Sequence, residues 1–182
     1  HFAPNTWRDM EYDDNTVPLS EINPEKLDTD QWVDTAIAMG AKYIVFVAKH
    51  AGGFCMWRTA TTDYGIAHTP WRGGNGDVMA DLARSCAKKG MKLGVYLSPQ
   101  DKKEGAGTGG RCENAEKQKV YDALYRAQLT ELLSNYGPIV EVWFDGSQVV
   151  PVGDILRKHA PGAMVFQGPH ATIRWVGNEM GF

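Results

Sequence analysis

The chain has 182 residues, 43% of them hydrophobic and 23% charged, a balance that fits a folded globular domain and excludes a disordered segment. Nineteen Lys and Arg against 22 Asp and Glu give a net charge of −3, so there is no cationic excess to neutralise a phosphate backbone, and nucleic acid is not an expected partner. Apolar runs such as Tyr43–Ala48 fall far short of the ~20 residues that a membrane-spanning helix needs, so no membrane partner is expected.

In chain order, a first strand is expected near His1–Asn5. Asp28-Thr29-Asp30 then opens a helix whose apolar positions are Trp32, Val33, Ala36 and Ile37, and Gly40 closes it. The β-branched and aromatic run Tyr43–Ala48 reads as a strand ending at Lys49-His50. Asp77 caps a helix carrying Val78, Met79, Leu82 and Cys86, with Lys88-Lys89 and Gly90 at its end. An acid at the start and cations at the finish complement the helix dipole, and glycine supplies a left-handed cap. Lys92–Leu97 is the next strand, followed by the glycine-rich run Gly105–Gly110. That run lacks the Lys-Ser/Thr of a phosphate loop and is expected to be a plain surface loop. A long helix spans about Asn114–Tyr136, its apolar face carried by Val120, Leu124, Leu129, Leu132 and Leu133. After it come a strand at Ile139–Phe144, a short helix at Gly153–His159, a strand at Ala163–Phe166 and a shorter one at Ile173–Val176.

Strands alternating with helices, the strands apolar on both faces, predict a parallel α/β sheet. Two architectures compete, an open doubly wound sheet and a (β/α)8 barrel. His50, Tyr96–Ser98, Asp145 and Glu179 all fall at or just after the C-terminal ends of predicted strands, which converge on one mouth only in a barrel. The barrel is therefore the expected fold. A barrel normally takes about 250 residues, so residues 1–182 are expected to form one incomplete (β/α)8 TIM-like domain whose closing strands lie further along a longer protein. The chain opens at His1 rather than Met, which fits a removed leader or an excerpt equally and leaves the compartment open.

Cys55, Cys86 and Cys112 match no metal-ligand spacing and are read as packing residues, Cys86 on the apolar face of its helix. No metal or other cofactor is expected. The chemistry-bearing candidates are acids. Asp145 follows Trp143-Phe144 and precedes Gly146, and taken alone it reads as a turn residue; Glu179 alone reads as a solvated loop acid. Taken together, two carboxylates on different strand ends with aromatic surface between them are what glycoside hydrolysis requires. Trp and Tyr rings offer flat platforms for the C–H face of a sugar.

Several segments carry a resemblance. His1-Phe2-Ala3-Pro4-Asn5-Thr6-Trp7 with Glu11-Tyr12, and Leu27-Asp28 with Gln31-Trp32, resemble the opening of the α-L-fucosidases of glycoside hydrolase family 29. Ala48-Lys49-His50 followed by Gly53-Phe54-Cys55-Met56-Trp57 is similar to that family's Lys-His-His-Asp-Gly-Phe-Cys-Leu-Trp segment. Thr62-Asp63-Tyr64, Gly76-Asp77-Val78, Gly94–Pro99, Glu131-Leu132-Leu133 with Tyr136-Gly137, and Val142–Gly146 follow in order. Arg174-Trp175 with Gly177-Asn178-Glu179 resembles the branch acting on α-1,3/1,4-linked fucose.

The resemblance implies a retaining exo-fucosidase with Asp145 as nucleophile and Glu179 as acid/base. His1, His50, Tyr96 and Trp143 would contact the fucose ring, and Glu11 and Trp57 match further contacting positions. It implies a fucosylated oligosaccharide or glycoconjugate as partner, and a secreted, periplasmic or lysosomal setting. His68, His159 and His170 match nothing functional and are expected at the surface. The sequence departs from the pattern at Ala51, where a second His is usual, at Gly52, where an Asp is usual, and at Gln100, where an aromatic commonly stands. The first two departures leave open a non-catalytic sugar-binding protein on the same scaffold; the retained carboxylates and aromatic residues speak against it.

Overall fold

A computed structural model describes residues 1–10, 13–146 and 148–177. Its described helices and strands run α1 (Pro4–Trp7), α2 (Thr29–Ala38), β1 (Tyr43–Lys49), α3 (Val78–Lys89), β2 (Lys92–Leu97), α4 (Ala115–Asn135), β3 (Ile139–Trp143), α5 (Gly153–His159) and β4 (Met164–Phe166). All neighbouring strands pair in parallel, and their order in the sheet is the order in the chain. A doubly wound sheet reverses direction partway along that order; this one does not. The sheet is part of a (β/α)8-type barrel, as the clustering of candidate residues at the strand ends predicts.

Local chemistry explains where the elements start and stop. Asp28, Asp77 and Asn114 each sit just before α2, α3 and α4 in extended backbone, and their side chains accept from Gln31, Ala80 and Lys117 N–H groups. Gly90 ends α3 in the left-handed region at φ +70. Helices α2 and α3 lie side by side, joined by a buried Thr29–Ser85 hydroxyl contact of 2.8 Å and by surface pairs Lys88–Asp30 and Lys89–Asp34. The core forms between the helices and the outer face of the sheet: Val33, Leu82, Val95, Leu97, Leu129, Leu132 and Val142 are all completely buried. Each such side chain contributes about 1.5–3 kcal/mol of hydrophobic stabilisation.

The structure corrects several expectations. The segment at His1–Asn5 is not a strand: Pro4 opens the single turn α1, and Thr6 Oγ accepts from Ala3 N–H at 2.9 Å while donating to Ala3 O at 2.7 Å. Ile173–Val176 forms no strand either; one bridge joins Ile173 to Phe166. Val120 is 68% exposed. The buried stripe of α4 is set instead by Tyr121 and Tyr125, whose hydroxyls donate to Pro99 O at 2.6 Å and Leu97 O at 2.8 Å and so carry their polar tips into the core without penalty. Finally, the glycine-rich run is no plain surface loop. Ala106, Gly109 and Gly110 are buried, Ala106 and Asp101 exchange backbone hydrogen bonds, and a Cβ on Gly110, whose φ is +84, would press on Pro99 O and the Tyr121 ring.

The cysteines are all free; Cys55 and Cys86 are buried as packing predicts, and Cys112 is half-buried. Among the described residues, no helix is long and apolar enough to cross a membrane. His68 and His170 are exposed, whereas His159 is half-buried, 3.2 Å from the Ser134 hydroxyl.

Candidate active site

Parallel pairing sets Val47 beside Tyr96, Tyr96 beside Trp143, and Trp143 beside Phe166, so four strands deliver one side chain each to a single level of the sheet. The rings at this level continue into the loops beyond it. His1 meets His50 edge-on with centroids 4.6 Å apart, and His50 stacks on Tyr96 at 6.0 Å. Tyr96 faces Trp143 at 6.5 Å, Trp143 stacks on Phe166 at 3.9 Å, and Trp175 closes the row perpendicular to Trp143 at 6.3 Å. His1, His50, Tyr96 and Trp143, which are distant in sequence, are thus brought together at the C-terminal edge of the sheet.

Asp145 stands in the same row. Phe144, almost fully buried, anchors the end of β3 through its N–H to Phe166 O at 3.0 Å, and Gly146 then turns the chain at φ +75. Asp145 is left exposed between them, and Tyr96 donates its hydroxyl to Asp145 Oδ2 at 2.8 Å. That bond fixes the carboxylate's orientation, and the second oxygen accepts no hydrogen bond from the described residues. An oriented, solvent-reachable carboxylate flanked by aromatic faces can attack an electrophilic carbon or stabilise positive charge on one.

Behind this surface lies an ion pair that sequence reasoning missed. Lys49, completely buried, donates to Asp101 Oδ2 at 2.7 Å and to Gln128 Oε1 at 2.8 Å, with the Tyr121 and Tyr125 rings at 5.7 and 5.3 Å. Burial pushes the Tyr125 phenol well above its ordinary range, so it stays a neutral donor. The pair ties the end of β1, and hence His50, to the loop after β2. Gly53 makes the approach possible: its φ is +93, and a Cβ there would strike Asp101 and come within 2.8 Å of Lys103 Cβ.

Trp57 does not join the site. It is 0% exposed, and its Nε1 donates to Glu131 Oε2 at 2.8 Å while Glu131 Oε1 accepts from Ala60 N–H at 3.0 Å. The expected sugar contact is corrected to a core role, and the same bond accounts for Glu131 in its motif. Trp57→Phe should therefore lower stability by about 1–3 kcal/mol, from the lost hydrogen bond to the half-buried Glu131 carboxylate and the space left by the smaller ring, with KM for a fucoside unchanged; a raised KM at unaltered stability would return Trp57 to the pocket. Glu11 and Glu179 lie outside the described residues. Ala51 is buried at 4% exposure, Gly52 is buried too, and Gln100 is half-buried with its carbonyl accepting from the Ser98 hydroxyl at 2.9 Å. Among the described residues no group of three or more His, Cys, Asp or Glu could hold a metal ion.

A parallel barrel sheet with an oriented carboxylate and a row of rings at its C-terminal edge defines a class, the barrel proteins whose chemistry sits on the strand ends. Within that class the chain belongs to the α-L-fucosidase family, whose model matches residues 2–170. It is 37% identical over 191 residues to alpha-L-fucosidase 1 of Arabidopsis thaliana, a match covering 100% of this chain and 36% of that protein. Among solved structures, a glycoside hydrolase 29 family member from an unknown rumen bacterium superposes with a TM-score of 0.85 at 35% identity, covering 100% of this chain and 35% of the other. A Ruminococcus gnavus fucosidase mutant in complex with fucose gives 0.83 at 28% identity, covering 99% and 42%. The chain spans about a third of the length of the curated relatives it matches most fully.

Proposed function

We propose that this chain is part of the catalytic domain of a retaining exo-α-L-fucosidase that removes terminal α-L-fucose, in α-1,3 or α-1,4 linkage, from oligosaccharides or glycoconjugates. The observation that carries the reading is the Tyr96–Asp145 hydrogen bond inside a row of aromatic rings, in a chain of α-L-fucosidase family membership.

In this mechanism Asp145 attacks the anomeric carbon as the glycosidic C–O bond breaks, and Glu179 gives its proton to the departing oxygen. Water then attacks the same carbon, returns a proton to Glu179 and releases Asp145, so two inversions give net retention. Retention needs the two carboxyl groups ~5–5.5 Å apart. Tyr96 keeps one carboxylate oxygen oriented through both steps, and Trp143 presents an apolar face suited to the sugar's C–H and methyl surface. His1 and His50 supply ring nitrogens to its hydroxyls, and Glu11 is carried into the pocket by the resemblance alone. No metal or other cofactor takes part.

The test is turnover of a chromogenic α-L-fucoside beside the corresponding galactoside by the full-length protein, with proton NMR of the first-formed sugar. Fucoside turnover releasing α-fucose first is expected. Initial β-fucose overturns retention, and fucose binding without turnover overturns the enzyme reading in favour of a sugar-binding protein.

A further inference from the structure

Position 52 is occupied by glycine for a reason other than backbone conformation. Its φ does not fall in the left-handed region, unlike that of the next residue, Gly53. Any L-residue could adopt that backbone if there were space. There is none: a Cβ at 52 would collide with the Asp13 Cβ and lie 2.7 Å from Asp13 Oδ2 and 2.9 Å from its Cγ. The volume that a side chain at 52 would fill is taken by the carboxylate of Asp13, from a segment nearly forty residues upstream.

Asp13 is built in rather than resting there. It is 3% exposed; Tyr64 donates its hydroxyl to Oδ2 at 2.6 Å, and Asn15 N–H donates to Oδ1 at 3.0 Å. Asn15 Nδ2 in turn donates to Gly52 O at 2.6 Å, lacing the two segments together. The turn they grip begins at His50, whose carbonyl accepts from Gly53 N–H at 2.9 Å. Asp13, Gly52 and His50 line one narrow crevice with Asn5 of α1. The grip therefore reaches His50 on one side and the segment bearing His1 on the other.

We infer that Asp13 supplies from outside the loop the acid that the Lys49–Trp57 segment lacks at Gly52, and that it is a positioning residue for His50. The inference rests on the reading of His50 as a sugar contact. An acid grafted onto position 52 should be interchangeable with the one at 13, which gives a direct exchange test in the full-length protein. Asp13→Gly, Gly52→Asp and the double variant would be compared for kcat and KM on an aryl α-L-fucoside and for melting temperature.

The expected result is a loss of about tenfold in kcat/KM for Asp13→Gly, borne mainly by KM, as one lost buried hydrogen-bonding partner would give. A larger loss is expected for Gly52→Asp, where two carboxylates contest one space. The double variant, with the acid moved and the space freed, should recover to within about threefold of the parent. Asp13→Gly within twofold of the parent, or a double variant no better than the worse single one, overturns the inference. If the parent protein hydrolyses no fucoside, the fucosidase reading fails separately, and the exchange is read from melting alone. A double variant melting above both single variants then supports it, and additive losses overturn it.

Discussion

Asp145→Gly is expected to abolish fucoside hydrolysis, by at least about 10^4-fold in kcat, while leaving the fold intact. Loss of a covalent nucleophile removes the lowest pathway rather than trimming it, and losses of this size or more accompany such changes in other covalent hydrolases. The fold should survive because Asp145 is exposed and its one described hydrogen bond comes from Tyr96, whose ring stays packed between His50 and Trp143. Azide should partly restore turnover by entering the vacated space and attacking the anomeric carbon, giving a fucosyl azide of inverted configuration. Circular dichroism and a single kinetic series with and without azide suffice to check it. Near-parental activity in Asp145→Gly would place the nucleophile elsewhere.

The second large effect belongs to Lys49. Lys49→Met should destabilise the protein by about 3–5 kcal/mol, because Asp101, 1% exposed, would be left charged in the interior with its cation gone. Against a typical total of about 5–15 kcal/mol, that is enough to unfold a marginal protein. Coulombic attraction across 2.7 Å is not the source of the loss; the stranded carboxylate is. Hence Lys49→Met with Asp101→Asn should recover most of the stability, the amide bonding to Gln128 and the methionine packing on Tyr121 and Tyr125. Denaturant midpoints of the two variants distinguish the cases: equal midpoints would mean that the interaction itself, rather than the unpaired charge, matters.

How much of this was legible in the sequence follows from which interactions are local. Strands β1 to β4 and helices α2 to α5 were readable almost to the residue, because apolar runs, acidic or amide caps and closing glycines are properties of neighbouring residues. Asp145 was readable as well, since a strand end of Val142-Trp143-Phe144 announces where the next residue must stand. The misreadings share a different origin. Val120 was mistaken for core because a hydropathy stripe discounts Tyr121 and Tyr125, whose burial depends on carbonyls at positions 97 and 99. Trp57 was given a sugar contact by the resemblance alone; an indole serves a pocket or a core equally well, and Glu131, 74 residues away, decides between them. The Lys49 pair joins partners 52 and 79 residues apart, and no local pattern marks it. Pro4 starts a turn of helix where an extended run was expected, since a proline's fixed φ suits a first helical position too.

The buried pair behind His50 also bears on how such a site can change over generations. Each wall comes from a separate strand end, an arrangement in which loops can ordinarily be exchanged one at a time. Lys49 and Asp101 remove that independence for the first two walls, since neither the turn at 50–53 nor the loop at 101–106 can be remodelled without stranding a charge held by the other. Among the described residues, the wall formed by Trp143, Phe166 and Trp175 has no such buried ion pair; it is held by ring packing, by the β3–β4 pairing and by hydrogen bonds between the 172–173 segment and Val165. Inherited variation in substrate preference should therefore accumulate on the Trp175 side, while the His50 and Tyr96 side drifts only through paired substitutions.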